Sequence, residues 1–478
     1  MNRKIAIGAA VFAMSFGVAF ADTYDELSGL INGALKERCV NHDKTAVRVV
    51  DIETGQVVYD RNGGTPLTPA SVMKLVTTAA ALNYLGVDYR FKTDVLYSGK
   101  REGGVLKGDI IVHGGGDPKL TPENIWRIAE EIRRQGITEV SGSLVADDTF
   151  FDGFHAPKGR GSKKTQRPYD APHGALSVNF NTIGLHVYPG ERDGEPIVAE
   201  VEPKSDYIRI VNEAVTRSKS RRPIGAFRVN GSDDVVVKVT GAMRPGDAGG
   251  VIYMAIEDPL QFAAETFAAY FKRAGIKIAG GIKKEAAPQN ARILYTHQSE
   301  PLPVILRELN RHSNNFIAEQ TLKTMAAEAG GSPGSAERGL ALANQMLMDM
   351  GVDTSGLVFS DGSGLSKDNK LTAKALTELL AAMSKRFDIG PDFMASLGIM
   401  GVDGTVRKRL KTSPAKAQAR AKTGTLNGAS ALSGYVAGKD NKLYAFAILQ
   451  NNGCFNYGSH NIEDKIITAI YLTAEKKH

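Results

Sequence analysis

Three short motifs in the sequence hold residue types that can carry out acyl transfer. The first is Ser71-Val72-Met73-Lys74. A serine hydroxyl is a poor nucleophile until an adjacent base takes its proton. Positions i and i+3 share one face of a helix, so Lys74 can stand beside the Ser71 oxygen. Thr68 and Pro69 just before it suit an N-cap and a first helical position, which places Ser71 in the first turn. Backbone N–H groups there lack intrahelical partners, and with the positive end of the helix dipole they suit a developing oxyanion. The spacing alone is not diagnostic, because Ser413-Pro414-Ala415-Lys416 repeats it. A serine before proline is pushed out of helical geometry, so Ser413 reads as a chance match.

The second motif is Ser313-Asn314-Asn315. Ser313 is suited to relay a proton between Lys74, Ser71 and a leaving group, and Asn315 to hydrogen-bond a substrate amide. The same pattern occurs at Ser177-Val178-Asn179 and Ser459-His460-Asn461, but only Ser313 falls where one helix gives way to another. An ordinary helix cap is the competing reading of Ser313. The third is Lys422-Thr423-Gly424-Thr425, in a β-rich run near the C-terminus. Lys422 can attract a terminal carboxylate and Thr423 can hydrogen-bond it. Gly424 clears side-chain bulk from the strand edge, and the Thr425 N–H can serve as a second oxyanion donor. A plain edge strand bearing a lysine is the competing reading.

These motifs need elements to hold them. Val72, Leu75, Val76, Ala79 and Leu82 recur at helical spacing, which predicts a helix with one buried face, ended by Gly86. The segment 22–38 reads as a helix. Ala46 to Ile52 and Gln56 to Asp60 read as a hairpin around Glu53-Thr54-Gly55. Three late β-rich runs cover Gln418 to Thr425, Ala431 to Ala437 and Leu443 to Leu449, and a final helix covers Ile462 to Glu475. If the chain ends meet, two early and three late strands make a five-stranded antiparallel sheet, and the middle of the chain is an insertion. From Tyr89 to Pro288 short strands, turns and helices at Pro122 to Arg134 and Pro259 to Ala274 indicate an α+β region. Helices follow at Leu302 to Asn310, Asn314 to Ala329 and Ala336 to Met350.

Bulk properties narrow the class. The chain has 478 residues, 42% hydrophobic and 23% charged, ordinary values for a globular protein of two to three domains. Arg3 and Lys4, an apolar run from Ile5 to Phe16 and Ala19-Phe20-Ala21 have the form of a cleaved signal peptide over 1–21, with the mature chain starting at Asp22. This predicts an exported protein of the periplasmic or cell-wall space. The formal net charge is +7. Basic runs at Lys158 to Arg167 and Arg217 to Arg222 read as solvated loops, and the mild positive field favours peripheral contact with an anionic wall or membrane surface. Nucleic acid is excluded as a partner by the export signal and the absence of any nucleic-acid motif. Cys39 and Cys454 do not have zinc-site spacing. In an oxidising compartment they either pair or remain two independent thiols.

In this order the three motifs resemble the signature of the penicillin-binding proteins and serine β-lactamases. The long stretch between Ser71 and Ser313 is similar to that of the low-molecular-mass class C penicillin-binding proteins, which are D-Ala-D-Ala carboxypeptidase/endopeptidases. Gly114-Gly115-Gly116-Asp117-Pro118, Asp147-Asp148-Thr149-Phe150, Asp361-Gly362-Ser363-Gly364-Leu365-Ser366 and Gly401-Val402-Asp403-Gly404-Thr405 resemble that family as well. The resemblance covers nearly the whole mature chain. It departs at Asn314, where the family often has Asp.

The resemblance implies an α+β fold: a transpeptidase-like domain from 22–88 and 291–478, carrying an insertion over 89–290 made of two domains, one nested in the other. It implies hydrolysis of peptidoglycan stem peptides through a Ser71 acyl-enzyme and acylation by β-lactam antibiotics, with no metal or organic cofactor. It also implies that an Asp of the insertion reads the amine on the substrate's penultimate side chain, and Asp147 is the matching position. A turn-capping Asp is the competing reading there. A serine β-lactamase and a catalytically silent wall-binding protein are the rival functions. The insertion argues against the first, and intact Ser71, Lys74, Ser313, Asn315 and Lys422 argue against the second.

Overall fold

The computed structural model describes residues 24–156, 165–219, 222–229, 235–454 and 457–473. The expected signal peptide, most of the run Lys158 to Arg167, part of Arg217 to Arg222 and the end of the last expected helix lie outside the described residues. The chain divides into two compact units. One takes in the described residues of Met1–Val87, Leu306–Asn315 and Leu340–His478, and the other those of Asp88–Ile305 and Phe316–Gly339.

The first unit is built on one antiparallel sheet. Its strand order is Gly398–Ile399, Ala419–Leu426, Ala429–Ala437, Leu443–Asn451, Thr45–Asp51 and Val57–Arg61. The early hairpin thus pairs with the last of the late strands, Val47 opposite Ile448. The sheet has six strands, not the expected five. The extra edge strand is two residues long and too short to produce any periodicity. Alternate residues supply the core beneath it. Val47, Val49, Leu432, Val436, Phe446 and Ile448 pack with Ile462, Ile466 and Ile470 of the helix Tyr457–Leu472. The i, i+4 spacing of those isoleucines lines one helix face, and each buried side chain contributes about 1.5–3 kcal/mol. The helix of residues 24–34 adds Leu27 and Ile31 to the same core. On the sheet the helix Ala373–Ser384 also packs, against Thr45–Asp51 and Leu443–Asn451.

The helix after Ser71 departs from expectation in two ways. Its start is a 3₁₀ turn, Ala70–Met73, running into the α-helix Lys74–Leu85. Thr68 does not cap it. Ala70 takes φ +48°, which turns the chain sharply, and Pro69 takes the cap position with no side-chain bond. Thr68 instead exchanges backbone hydrogen bonds with the Asn451 side chain, at 2.8 and 3.0 Å. Nor is only one face buried: every residue from Lys74 to Leu82 is. The small Thr77, Thr78 and Ala79 to Ala81 let neighbours close in on all sides, which a pattern search for one apolar stripe does not anticipate.

The second unit has a five-stranded sheet in the order Ile282–Lys284, Leu144–Asp147, Ile110–Gly114, Lys92–Tyr97 and Arg292–Gln298. The helices Pro122–Arg134 and Pro259–Arg273 belong to it. The first starts with a Thr121/Asn124 capping box, the second with Asp258 accepting from the Gln261 N–H. Two further sheets draw their strands from within 182–255, between the strands Leu144–Asp147 and Ile282–Lys284 in sequence.

Candidate active site

Lys74 is fully buried. Its Nζ lies 3.1 Å from Ser71 Oγ and donates to Asn315 Oδ1 at 2.7 Å and to the Ser363 carbonyl. Two carbonyl oxygens thus take two of its hydrogens. A neutral amine in that setting turns its lone pair toward the Ser71 hydroxyl, the arrangement a general base needs. On the far side, Lys422 Nζ donates to Ser313 Oγ at 2.8 Å and to the Thr423 carbonyl at 2.7 Å. Burial pushes the Lys422 ammonium well below the ordinary lysine pKa, and the nearby Lys74 charge pushes it the same way. The charge on Lys74 thus makes the charged state of Lys422 costlier than it is in water.

Each group is held by its own element. Ser313 takes φ +55° in the break between the helices Leu302–His312 and Asn315–Gly330. Ser313 thereby meets Lys422 and Asn315 meets Lys74. Asn310 braces that helix end, donating to Thr78 Oγ1 at 3.0 Å and to Ser396 Oγ at 2.8 Å. The strand Ala419–Leu426 passes close against the start of the Ser71 helix. A Cβ on Gly424 would fall 2.6 Å from the Pro69 carbonyl and 3.1 Å from the Ser71 N. Gly424 is therefore required for the strand to approach the Ser71 amide at all.

Two segments contribute in ways the motifs do not reveal. In the loop 361–366, the buried Asp361 carboxylate accepts from the Gly364 N–H at 2.6 Å and the Ser366 N–H at 2.7 Å. That turn aims the Ser363 carbonyl at Lys74. Gly364, at φ +78°, has the Ala70 carbonyl where a Cβ would be. The other is the loop 399–405. Asp403 receives the Ile399 N–H at 2.7 Å and pairs with Arg311 at 2.8 Å, and Thr405 Oγ1 lies 2.8 Å from Thr423 Oγ1. Both loops are glycine-rich and acidic, which is visible in the sequence, but no spacing says which atom faces the site.

The competing motifs are accounted for elsewhere. Ser413 Oγ is 3.0 Å from Thr468 Oγ1 and accepts from the Ala415 N–H, while Lys416 is exposed. Ser177 and Ser459 donate to the carbonyls of Gly174 and Cys454, each at 2.7 Å. Cys39 and Cys454 are joined in a disulfide.

Asp147 belongs to the second unit and is 2% exposed. It accepts from the Thr149 N–H at 2.9 Å, the Thr149 hydroxyl at 2.7 Å and the Ala287 N–H at 2.8 Å. His113 Nδ1 lies 2.9 Å away. Burial raises its pKa, but the bonds from His113, Thr149 and Ala287 more than offset this and hold the carboxyl well below its usual range. These contacts are those of a carboxylate that caps a turn. Next to it, burial pushes Asp148 up to about 6.

The fold and the Ser71/Lys74, Ser313/Asn315 and Lys422-Thr423-Gly424 groups define a serine acyl-transferase of the penicillin-binding type. The chain belongs to the D-Ala-D-Ala carboxypeptidase 3 (S13) family, which it matches over residues 28–472. It is 34% identical over 450 residues to a D-alanyl-D-alanine carboxypeptidase of Actinomadura sp. (strain R39), spanning 89% of this chain and 81% of that protein. With the D-alanyl-D-alanine carboxypeptidase DacB of Haemophilus influenzae it shares 27% identity over 428 residues, 89% of this chain and 88% of the other. The crystal structure of penicillin binding protein 4 (dacB) from Haemophilus influenzae superposes with a TM-score of 0.79 at 25% identity, covering 93% of this chain and 99% of that one.

Proposed function

We propose that the chain removes the terminal D-Ala from peptidoglycan stem peptides by way of a Ser71 acyl-enzyme. The observation that carries this is Lys74 Nζ, set between Ser71 Oγ and two carbonyl acceptors in a fully buried position. Lys74 takes the Ser71 proton as the oxygen attacks the carbonyl of the penultimate D-Ala. The N–H groups of Ser71 and Thr425 receive the oxyanion, Asn315 holds the substrate amide, and Lys422 with Thr423 holds the terminal carboxylate. Ser313 hands the proton to the departing amine, and water then hydrolyses the ester. If the departing amine belongs to a neighbouring stem peptide, the same steps cleave a cross-link, and endopeptidase activity is part of the proposal.

The family relation and the 1–21 segment support action outside the cytoplasm after export. Among the described residues no helix is long and apolar enough to cross a membrane. A β-lactam presents its carboxylate and strained amide to the same groups, so it should acylate Ser71. We further propose a catalytic domain from both chain ends, expected as 22–88 and 291–478, around an insertion expected over 89–290 whose sheet also takes in the strand Arg292–Gln298, with Asp147 as the insertion's reader of a substrate amine. The test is release of D-Ala from a purified stem pentapeptide, run beside labelling by a fluorescent penicillin. Absence of both with folded protein would sink the reading. Rapid turnover of a chromogenic cephalosporin would replace it with a β-lactamase.

A further inference from the structure

One face of the second unit has a composition that chemistry at Ser71 does not explain. In the three-stranded sheet Val198–Glu202, Thr182–Tyr188, Gly250–Ala255, Val198 stands opposite Tyr188, and Glu200 and Val251 flank His186. Tyr253 stands opposite Gly184. Side chains alternate along a strand, so these residues share one face, while Ile183, Leu185, Val187 and Met254 are buried on the other. A solvated sheet face normally carries polar residues. Here Tyr188 is 47% exposed and Tyr253 58%. Each ring rests against a glycine. A Cβ on Gly249 would fall 2.3 Å from the Tyr188 ring, and one on Gly184 would fall 3.4 Å from the Tyr253 ring. Packing against backbone fixes the rings without covering them.

Beside Tyr188 the face opens into a groove of about 570 Å³, within the range of small-ligand sites, bounded by His186, Glu202, Lys204, Tyr270 and Arg273. Its charges are internally matched. His186 Nε2 lies 3.1 Å from Glu202, Lys204 Nζ lies 3.0 Å from Glu200, and the Arg273 guanidinium stacks over Tyr270 at 4.9 Å. Two carboxylates and two cations cancel, so the groove offers no net field to a polyanion. It offers aromatic faces for apolar C–H surface, ringed by donors and acceptors.

That chemistry complements an uncharged polymer whose rings have apolar faces and polar edges. We infer that this face binds the glycan strand of peptidoglycan, a chain of N-acetylated hexosamines, with Tyr188 and Tyr253 as stacking platforms and the groove beside Tyr188 taking the hydroxyl and acetamido groups. Tyr253 is offset from Tyr188 by four residues along the sheet, about 13 Å, so the two rings address different sugars of one strand. The inference rests on the proposed action on peptidoglycan.

The experiment uses chitin oligosaccharides, uncharged chains of N-acetylglucosamine, because strands stripped of stem peptides by an amidase would carry a lactyl carboxylate on every second sugar; binding is measured by calorimetry. The full chain should bind them, and Tyr188→Ala and Tyr253→Ala should each weaken binding about tenfold, the scale of an interface aromatic. Both variants should release D-Ala from a soluble pentapeptide at the parental rate but work more slowly on intact sacculi. Glycan binding unchanged in the double variant overturns the inference. So does binding confined to fragments that retain stem peptides. Loss of pentapeptide hydrolysis in the parent would instead count against the proposed function, so the two failures are distinct.

Discussion

Thr405 and Thr423 face each other with their hydroxyl oxygens 2.8 Å apart. Thr423 is the central residue of the strand proposed to hold the substrate carboxylate. Thr405 ends a loop pinned by the Arg311–Asp403 ion pair, and Arg311 lies two residues before Ser313. The helix break, the loop and the strand therefore form one closed frame. Thr405→Val should remove the hydrogen bond that orients the Thr423 hydroxyl. The expected loss is about 1 kcal/mol, read as a several-fold rise in KM for peptides ending in a carboxylate, with kcat nearly unchanged. The same peptide ending in a carboxamide should not notice the change. Equal effects on both peptides would show that Thr405 only supports the fold.

Ser71 and Ser413 share a spacing but not a setting. Ser71→Ala should abolish covalent labelling by penicillin and lower peptide hydrolysis by about three orders of magnitude or more. Ser413→Ala should do neither, since its oxygen is engaged with Thr468. An acyl adduct mapped by mass spectrometry to any residue other than Ser71 would refute the assignment.

How much of this was legible beforehand depends on what each part looks like locally. Ser71, Lys74 and Lys422 stood out because their chemistry is carried by side chains at fixed spacing. The early hairpin and late strands were readable because alternation of valine, leucine and isoleucine marks a half-buried strand. The Ser363 carbonyl could not be read, because any residue has a carbonyl and only the turn around Asp361 gives this one a direction. Thr405 was visible only as part of a family-like segment. The helix cap failed for a conformational reason: Thr68-Pro69 fits the rule, but φ +48° at Ala70 moves the helix start past it. A residue with positive φ outside glycine leaves no trace in composition.

Lys422 should set an alkaline limit on substrate binding. Its pKa is lowered by burial and by Lys74, and only the protonated form attracts a carboxylate. Affinity should therefore be full below the lowered value and fall as pH rises through it, before the ordinary lysine value of 10.5 is reached. KM for a carboxylate-ended peptide, followed from neutral to alkaline pH, checks this. Lys422→Arg should shift the limb upward, because guanidinium does not titrate there. Lys422→Ala should weaken acylation by peptide and penicillin alike. A flat KM across the alkaline range would remove the carboxylate-binding role.

The disulfide between Cys39 and Cys454 spans 415 positions of sequence. Tying positions so far apart restricts the unfolded chain, and its loss should cost about 2–5 kcal/mol. The double variant Cys39→Ala/Cys454→Ala should unfold at lower denaturant concentration than the oxidised parent while keeping penicillin labelling when folded. Free thiols at both positions in exported protein, found by non-reducing peptide mapping, would sink the prediction.

Asp147 is the position where two roles compete. Its contacts with Thr149, Ala287 and His113 are those of a turn cap. A carboxylate held far below its usual pKa is also fully charged at neutral pH, as a reader of a substrate amine must be. Replacing it removes the acceptor of the half-buried Thr149 and Ala287 N–H bonds, at about 1 kcal/mol each. The stability contribution has a clear sign: because the folded pKa is depressed, it is present above the usual Asp value of 3.8 and is lost as pH falls through the folded value. Asp147→Ala should thus lower the melting temperature at pH 7. If Asp147 also reads an amine, the folded variant should acylate normally with a simple penicillin, which lacks that amine. It should be slow only on stem peptides that have a free amine on the penultimate side chain. Acetylating that amine should erase the difference between variant and parent. Equal loss on penicillin and on both peptides would mean that the carboxylate serves the turn alone.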